Sequence, residues 1–455
     1  MSLPTPGDRA AETSTTTGTG TYTLAGAITG WRTLVAACGD TAEVDYFVRD
    51  QAGGANYEVG RGTITDAGSD TLSRDTIYAS SNADAAVNWS AGTREIVVTL
   101  TANTFQQVSQ QRKNFIINGN LSVWQRGTSF AAIADTDFFA DRFNYNKTGV
   151  MVHTVSRSTS VPTVAELGHK ANYSILVDCT TIDASIAAGD FCYIEQPVEG
   201  YNFARIAENA FTISFWHNHT KTGTHCVSFR NSGSDRSYVS EYTQTTTNTW
   251  EYATVTVTAS PSAGTWDYTT GVGLNVLFAL AVGTTFHTTA DAWQTGNFMS
   301  TSGQVNNCDS VSNNFRISSF QLEEGTVATT FEYQSINETI EDCQRYFEKS
   351  YDIDVDPATV TDVGRLLQRA YSTASINHIM PITFAVEKRD NPTMVYYSPG
   401  DGATGNMQIQ AVNKAASTVG GTSGTRQTAL QNTSAFTAAA ENDTIEAHFT
   451  AESEL

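Results

Sequence analysis

Three histidines stand close together in the sequence, and their types and spacing suit metal chemistry. His217 and His219 are two residues apart and emerge on one face if the chain is a strand there; His225 follows across a turn at Gly223. Neutral imidazoles so placed can hold a divalent transition metal. No carboxylate or thiolate at ligand spacing completes the set, so solvated strand-end histidines are the ordinary expectation, and no metal and no cofactor is expected. Glu251 with Asp267, and Glu323 with Glu324, have the residue types of a glycosidase couple. With 47 acidic residues in 455, such pairs arise readily without meaning. The chain lacks Gly-x-Ser-x-Gly, His-Glu-x-x-His and a phosphate-cradling loop, so it is read as non-enzymatic. Trp250, Trp266, Tyr268 and Trp293 are the residues that can stack on a sugar, because a pyranose offers CH groups on one face and hydroxyls at its rim. The competing demand on each is packing in a sandwich core.

These residues must be positioned by strands. Only 16% of residues are charged, 10% are aromatic, and Thr, Ser, Asn and Gly are plentiful, as short strands and many turns require. The expected class is mainly β: an N-terminal β-module, a central jelly-roll sandwich, one amphipathic helix and a C-terminal β-domain. Residues 1–20 read as a polar arm without the basic start and apolar core of an export signal. Within 21–100, runs at Tyr22 to Leu24, Arg32 to Ala36, Val44 to Arg49, Tyr57 to Ile64, Thr76 to Tyr78 and Glu95 to Leu100 predict strands, with Trp31 and Trp89 in their core. Residues 101–113 read as a helical linker of about one short helix, in which Phe105 and Val108 can form either a first bundle layer or a capping contact.

Asn114 to Phe130 alternates apolar with polar residues on both sides of Asn118-Gly119, a pair that tolerates the positive φ of a tight turn, and so predicts strand, turn, strand. Through 114–334 the runs Tyr173 to Val177, Phe191 to Glu195, Phe211 to Trp216, His225 to Arg230, Tyr238 to Tyr242, Trp250 to Val257, Gly273 to Val282 and Phe315 to Leu322 alternate without a fixed repeat. That spacing favours a two-sheet jelly roll over a parallel β-helix. On the strand from Phe211, Phe215 belongs inward and Trp216 on the opposite face. Residues 335–350 predict a connecting helix: Ser335 and Glu338 form a capping box, and Ile336, Ile340, Cys343 and Phe347 share a face. Val360 to Leu367, Ile379 to Phe384, Thr393 to Tyr397, Met407 to Val412 and Ile445 to Thr450 then outline a β-domain over 351–455.

Charge and cysteine usage bound the partners. A formal net charge of -21 repels nucleic acid and anionic membrane surfaces. The most apolar stretch, Gly273 to Val282, is about half of what a membrane span requires, so no membrane insertion is expected. Cys38, Cys179, Cys192, Cys226, Cys308 and Cys343 show no Cys-x-x-Cys spacing and read as reduced, mostly buried thiols of a protein made in a cytosol.

Asn118, Gly119, Trp124, Gln125, Arg126 and Gly127, followed by Asp141 and Arg142, resemble the opening of a carbohydrate-binding-module-like domain of bacteriophage tail fibre and tail proteins. Phe320-Gln321-Leu322-Glu323-Glu324-Gly325 and Cys343-Gln344-Arg345-Tyr346 resemble its close. Gly18 to Leu24, Glu58 to Gly62 and Val87 to Thr93 resemble an N-terminal module of phage tail proteins, and Arg389 to Thr393 with Tyr397 to Gly400 an end module. The resemblance implies a virion tail location after synthesis in the host cytoplasm and a homotrimer. It also implies docking to other tail proteins through residues 21–100 and adhesion to a host-surface glycan or protein through many weak contacts. A polysaccharide depolymerase tailspike and a purely structural tail or decoration protein are the alternatives.

Overall fold

The computed structural model describes residues 4–51, 53–101, 104, 113–370, 378–409, 412–433 and 443–455. The chain divides into two compact units, Met1–Arg112 and Lys113–Leu455. Phe105 and Val108 of the expected linker helix lie outside the described residues.

The first unit is a seven-stranded antiparallel sheet of β1 (Ala11–Ser14), β2 (Tyr22–Thr23), β3 (Glu43–Asp50), β4 (Tyr57–Thr65), β5 (Thr71–Leu72), β6 (Thr76–Ser80) and β7 (Arg94–Val98). The first twenty residues are therefore not only an arm, because β1 pairs along β7. The stretch expected as a strand over 32–36 is instead largely the short helix α1 (Leu34–Cys38), capped by the Thr33 side chain, with Leu34 in the core. Trp89 is buried and donates to the Tyr22 hydroxyl at 2.8 Å, whereas Trp31, expected in the core, is 42% exposed. Glu58 organises this core: its carboxylate accepts from Tyr22, Tyr46, the Val87 amide and Arg74, so a buried charge is fully bonded.

The second unit opens with a jelly-roll sandwich. Its strands are β8 (Ser129–Phe130), β9 (Asn144–Lys147), β10 (Val152–Ser158), β11 (Ser174–Thr181), β12 (Phe191–Glu199), β13 (Phe211–His219), β14 (Gly223–Asn231), β15 (Arg236–Gln244), β16 (Glu251–Val257), β17 (Val272–Val282), β18 (Trp293–Thr295) and β19 (Asn314–Glu324). They form two six-stranded antiparallel sheets, in the orders β16-β13-β19-β11-β10-β8 and β18-β15-β14-β17-β12-β9. The core lies between them. Alternation sends Phe211, Ile213 and Phe215 inward from β13, where Phe215 meets Phe278 of β17 edge to face at 5.0 Å.

Asn114 to Phe130 is not a hairpin. Most of it is irregular, and its backbone is satisfied by side chains rather than by a ladder. Asn118 adopts φ 58; its amide donates to the carbonyls of Val123 and Asp141 and accepts from the Val123 amide. Gly119 is required by a close approach, since a Cβ there would stand 2.2 Å from the Phe320 carbonyl oxygen. Trp124 is buried with its indole N–H on the Leu121 carbonyl at 2.8 Å.

After α2 (Val164–Leu167) and α3 (Gly200–Phe203), the connecting helix α4 (Ile336–Gln344) begins with the expected reciprocal capping box of Ser335 and Glu338. It stops at Gln344, well short of 350. Phe347 lies instead on β20 (Phe347–Lys349), and Ile336 is 48% exposed. The remaining strands are β21 (Leu366–Arg369), β22 (Ile379–Thr383), β23 (Thr393–Tyr397), β24 (Asn406–Ile409), β25 (Val412–Thr418), β26 (Gln427–Asn432) and β27 (Thr444–Glu452). Together with β20 they build an eight-stranded sheet around β27. Among the described residues no helix is long and apolar enough to cross a membrane.

The residues of the stretches 118–127, 141–142 and 343–346 meet where sandwich and C-terminal sheet join. Gln125 donates from backbone and side chain to Asp141, both at 2.7 Å, and onward to the Phe347 carbonyl. Gly127 takes φ 134 just beyond Arg126, whose guanidinium reaches Glu452 and Glu454 and stacks on Phe347 at 3.8 Å. Arg142 pairs with Glu454, donates to the Pro197 carbonyl at 2.7 Å and lies 3.5 Å over the Tyr346 ring. Arg345 and the Tyr346 hydroxyl both donate to Glu199, Cys343 is buried beneath, and the Gln344 carbonyl accepts from Lys388. Residues more than 300 positions apart thus form one bonded clamp.

Candidate functional site

The strand parity that buries Phe215 also governs its neighbours. Trp216 and Ser214 point to the outer face of the first sheet, and Trp216 stands in register with Tyr252 of β16, ring centroids 5.3 Å apart. Ser214, Trp216 and Tyr252 line a cleft of about 160 Å³ together with Glu166, Leu167, Ser319, Thr329, Thr330 and Phe331. Tyr252 is 49% exposed, and its ring is tilted 43° against that of Trp216. A β-bulge between β13 and β19 occurs at this point, and Ser319 holds φ 55, a left-handed conformation costly outside glycine. The opposite wall is pinned by Glu323, whose carboxylate accepts from the Thr329 amide at 2.8 Å and its hydroxyl at 2.6 Å. Phe331 is backed by the stacked His169 ring. Glu166 brings a carboxylate, already held by the Thr163 amide and hydroxyl. An aromatic pair beside hydroxyls and one carboxylate is the chemistry that grips a sugar ring. Among the described residues, no histidine, cysteine or lysine lines the cleft.

Of the four platforms expected from sequence, three come together elsewhere. Trp266 and Tyr268 lie nearly parallel to the buried Phe203 ring, at 5.1 and 6.1 Å, and Trp266 meets Trp293 edge to face at 5.7 Å. Both indole N–H groups are committed, Trp266 to the Ala263 carbonyl and Trp293 to that of Thr258, and both rings pack against the sandwich core. Tyr268 is the exposed member at 40%. Trp250 is half-buried just before β16 and joins none of the ring contacts that unite the other three. The Trp216–Tyr252 pair was not among the expected platforms. The parity of Trp216 was the available signal; its register with Tyr252, 36 positions away, was not.

The histidines are not solvated strand ends. His217, His219 and His225 are all buried, with ring centroids 5.2 Å and 4.4 Å apart along the series, and His219 stacks on Phe315 at 3.9 Å. Parity placed them inward with Phe215. Four of their nitrogens are bonded within the protein: His217 Nδ1 donates to Gln244, His219 Nε2 is bonded to the Tyr242 hydroxyl, and His225 donates to the Lys221 carbonyl while accepting from Asn307; His219 Nδ1 is buried without a hydrogen-bond partner. Burial holds all three pKa values down, to about 4 for His225. Because the folded pKa lies below the unfolded value of about 6.5, the stability from neutral burial is complete above that pH. It is lost as pH falls from 6.5 towards 4, where the unfolded chain takes up protons that the fold refuses. His225 alone contributes roughly 3 kcal/mol to this loss. A melting temperature that falls steadily through this window in the wild type, and less steeply in His225→Gln, is the expected result of differential scanning calorimetry; equal slopes contradict it.

Three of the four candidate carboxylates, Glu251, Asp267 and Glu323, accept hydrogen bonds from neighbouring threonines. Hydrogen bonds from Thr245 and Thr246, working against partial burial, keep Glu251 below the usual range. The Thr269 amide does the same for Asp267.

No family model matches the sequence, and no curated protein does. Among solved structures, the enzymatically active domain of bacteriophage CBA120 tailspike protein 4 aligns with TM-score 0.24 and 12% identity, over 43% of this chain and 21% of that one. The chain thus spans about a fifth of that structure. TmCBM61, solved in complex with β-1,4-galactotriose, aligns at 0.23 and 9% identity over 47% of this chain and 100% of its own. The CBM22-1–CBM22-2 tandem domain of Paenibacillus barcinonensis Xyn10C aligns at 0.26 and 12% over 71% and 80%. Likenesses this low carry no functional argument. The description of the sandwich rests on its own sheets.

Proposed function

We propose that this chain is a bacteriophage tail fibre or tail structural protein that attaches to the host surface by multivalent glycan binding, with the Trp216–Tyr252 cleft as a sugar site. The observation that carries the binding half is the pairing of a half-buried Trp216 with an exposed Tyr252 in a hydroxyl-lined cleft at a strained bulge. The tail half rests on the spelling of Asn118 to Gly127 and Cys343 to Tyr346. In this reading the protein is a homotrimer that docks through residues 21–100, and a single weak site suffices because three or more act together. The engagement of Glu251, Asp267 and Glu323 in structural hydrogen bonds supports binding without bond cleavage.

A glycan array probed with the full chain tests this. Wild-type protein is expected to retain a defined set of glycans, and Trp216→Ala to bind them roughly tenfold more weakly, about 1.4 kcal/mol, with its melting temperature within a few degrees. Retention that survives Trp216→Ala but is lost in Tyr268→Ala moves the site to the Phe203 cluster. Release of shortened polymer from a capsule preparation would replace adhesion with depolymerase activity.

A further inference from the structure

Four side chains scattered over 156 positions of sequence converge inside the sandwich, away from the cleft. His153 of β10 and Cys179 of β11 are in-register partners on one sheet. Cys192 comes from β12 of the facing sheet, and Cys308 from the loop that leads into β19. All four are at most 2% exposed. The Cys192 and Cys308 sulfurs and one imidazole nitrogen lie within 4.8 Å of one another. Cys308 Sγ is 3.6 Å from His153 Nε2, and Cys192 Sγ is 3.9 Å from Nδ1. Cys179 sits across the ladder from His153, with its thiol donating to the Thr181 carbonyl at 3.4 Å. Nδ1 is bonded to the Tyr145 hydroxyl at 2.6 Å, a contact that fixes the ring.

We infer that His153, Cys192 and Cys308 form a structural zinc site that ties the two sheets of the sandwich together, with Cys179, the cross-strand partner of His153, completing it once its thiol turns from the Thr181 carbonyl. Three thiols and an imidazole are the soft, four-ligand set that zinc takes in closed sites. With Zn–S near 2.3 Å and Zn–N near 2.0 Å, tetrahedral edges come to about 3.6 Å for sulfur to nitrogen and about 3.8 Å for sulfur to sulfur. The 3.6 Å from Cys308 Sγ to His153 Nε2 is of that size, and the 4.8 Å limit on the Cys192, Cys308 and imidazole ligand atoms leaves small side-chain rotations to close the set. Nε2 facing Cys308, with Nδ1 held by Tyr145, is the arrangement in which a second partner sets the tautomer of a ligating histidine. Binding releases the thiol protons to solvent, and the neutral imidazole contributes its lone pair. The site has no opening to water, so its role is to hold β10 and β11 against β12. Sequence spacing concealed it, because the ligands come from four separate segments.

The test uses the full chain, produced with zinc in the medium and purified under reducing conditions. Native mass spectrometry is expected to find one zinc per chain, and chelator to lower the melting temperature by several degrees, restored by zinc alone. Cys192→Ser and Cys308→Ser are expected to lose the metal, whereas Cys226→Ser, buried outside the cluster, keeps it. Should the variants fail to fold, cobalt added to chelated wild-type protein provides the second readout, since thiolate ligation gives an intense near-ultraviolet charge-transfer band. Metal-free protein that gives no such band with cobalt would overturn the proposal. So would a Cys192–Cys308 disulfide in protein purified without reductant that zinc cannot prevent.

Discussion

Arg142→Ala is expected to destabilise the 113–455 unit by roughly 3 to 5 kcal/mol, the cost of removing one partner from a buried ion pair. Its side chain is 1% exposed and Glu454 is 4% exposed, so neither charge can fall back on water. Deleting the guanidinium leaves the Pro197 carbonyl unbonded, removes the cation from the Tyr346 ring and leaves Glu454 to Arg126 alone. The loss falls on the joint, because β27 runs straight into Glu454. Chemical denaturation measures the cost, and hydrogen exchange along 447–454 localises it. Arg142→Ala with a midpoint within 1 kcal/mol of wild type and unchanged exchange would mean that the clamp does not hold the C-terminal sheet to the sandwich.

Trp124→Ala carries a similar expected loss by another route. The indole is 3% exposed, packs beside Phe139 at a centroid distance of 6.0 Å and donates to the Leu121 carbonyl. Truncation opens a cavity at the edge of the largest core and leaves a turn carbonyl unbonded, for roughly 3 to 5 kcal/mol in all. Trp124→Phe keeps most of the volume and loses the hydrogen bond, so its cost should be well under half as large. If the two variants melt together, the hydrogen bond rather than the packing dominates and the core assignment fails. Both variants also guard the binding experiments, since they damage the fold without touching the cleft.

The sandwich was legible in the sequence because its strands are long and their faces differ. From Phe211 to Val282 the alternation of apolar residues located each strand to within a few positions. The parity that put Phe215 inside also committed His217 and His219 to the same side, which makes their burial a consequence of the sequence; the expectation of solvated rings overlooked it. Asn114 to Phe130 misled for a physical reason. Its alternation exists, but Asn118, Gln125 and Asp141 supply the hydrogen bonds that a ladder would have supplied. The end of α4 was hidden similarly, since Phe347 continues the helical spacing and leaves it only because β20 pairs with Glu452 more than a hundred residues later. The cleft and the cysteine cluster depend on register between distant strands, and a single sequence does not encode register in a readable form.

The central claim is that the outer face of β13 binds sugar. Titration calorimetry of the full chain with an oligosaccharide selected on the array tests it most directly, with Trp216→Ala and Trp250→Ala measured alongside. Saturable binding by wild type and Trp250→Ala, weakened roughly tenfold in Trp216→Ala, is the predicted result. Equal affinity in all three proteins would contradict it and place the sugar contact elsewhere on the chain.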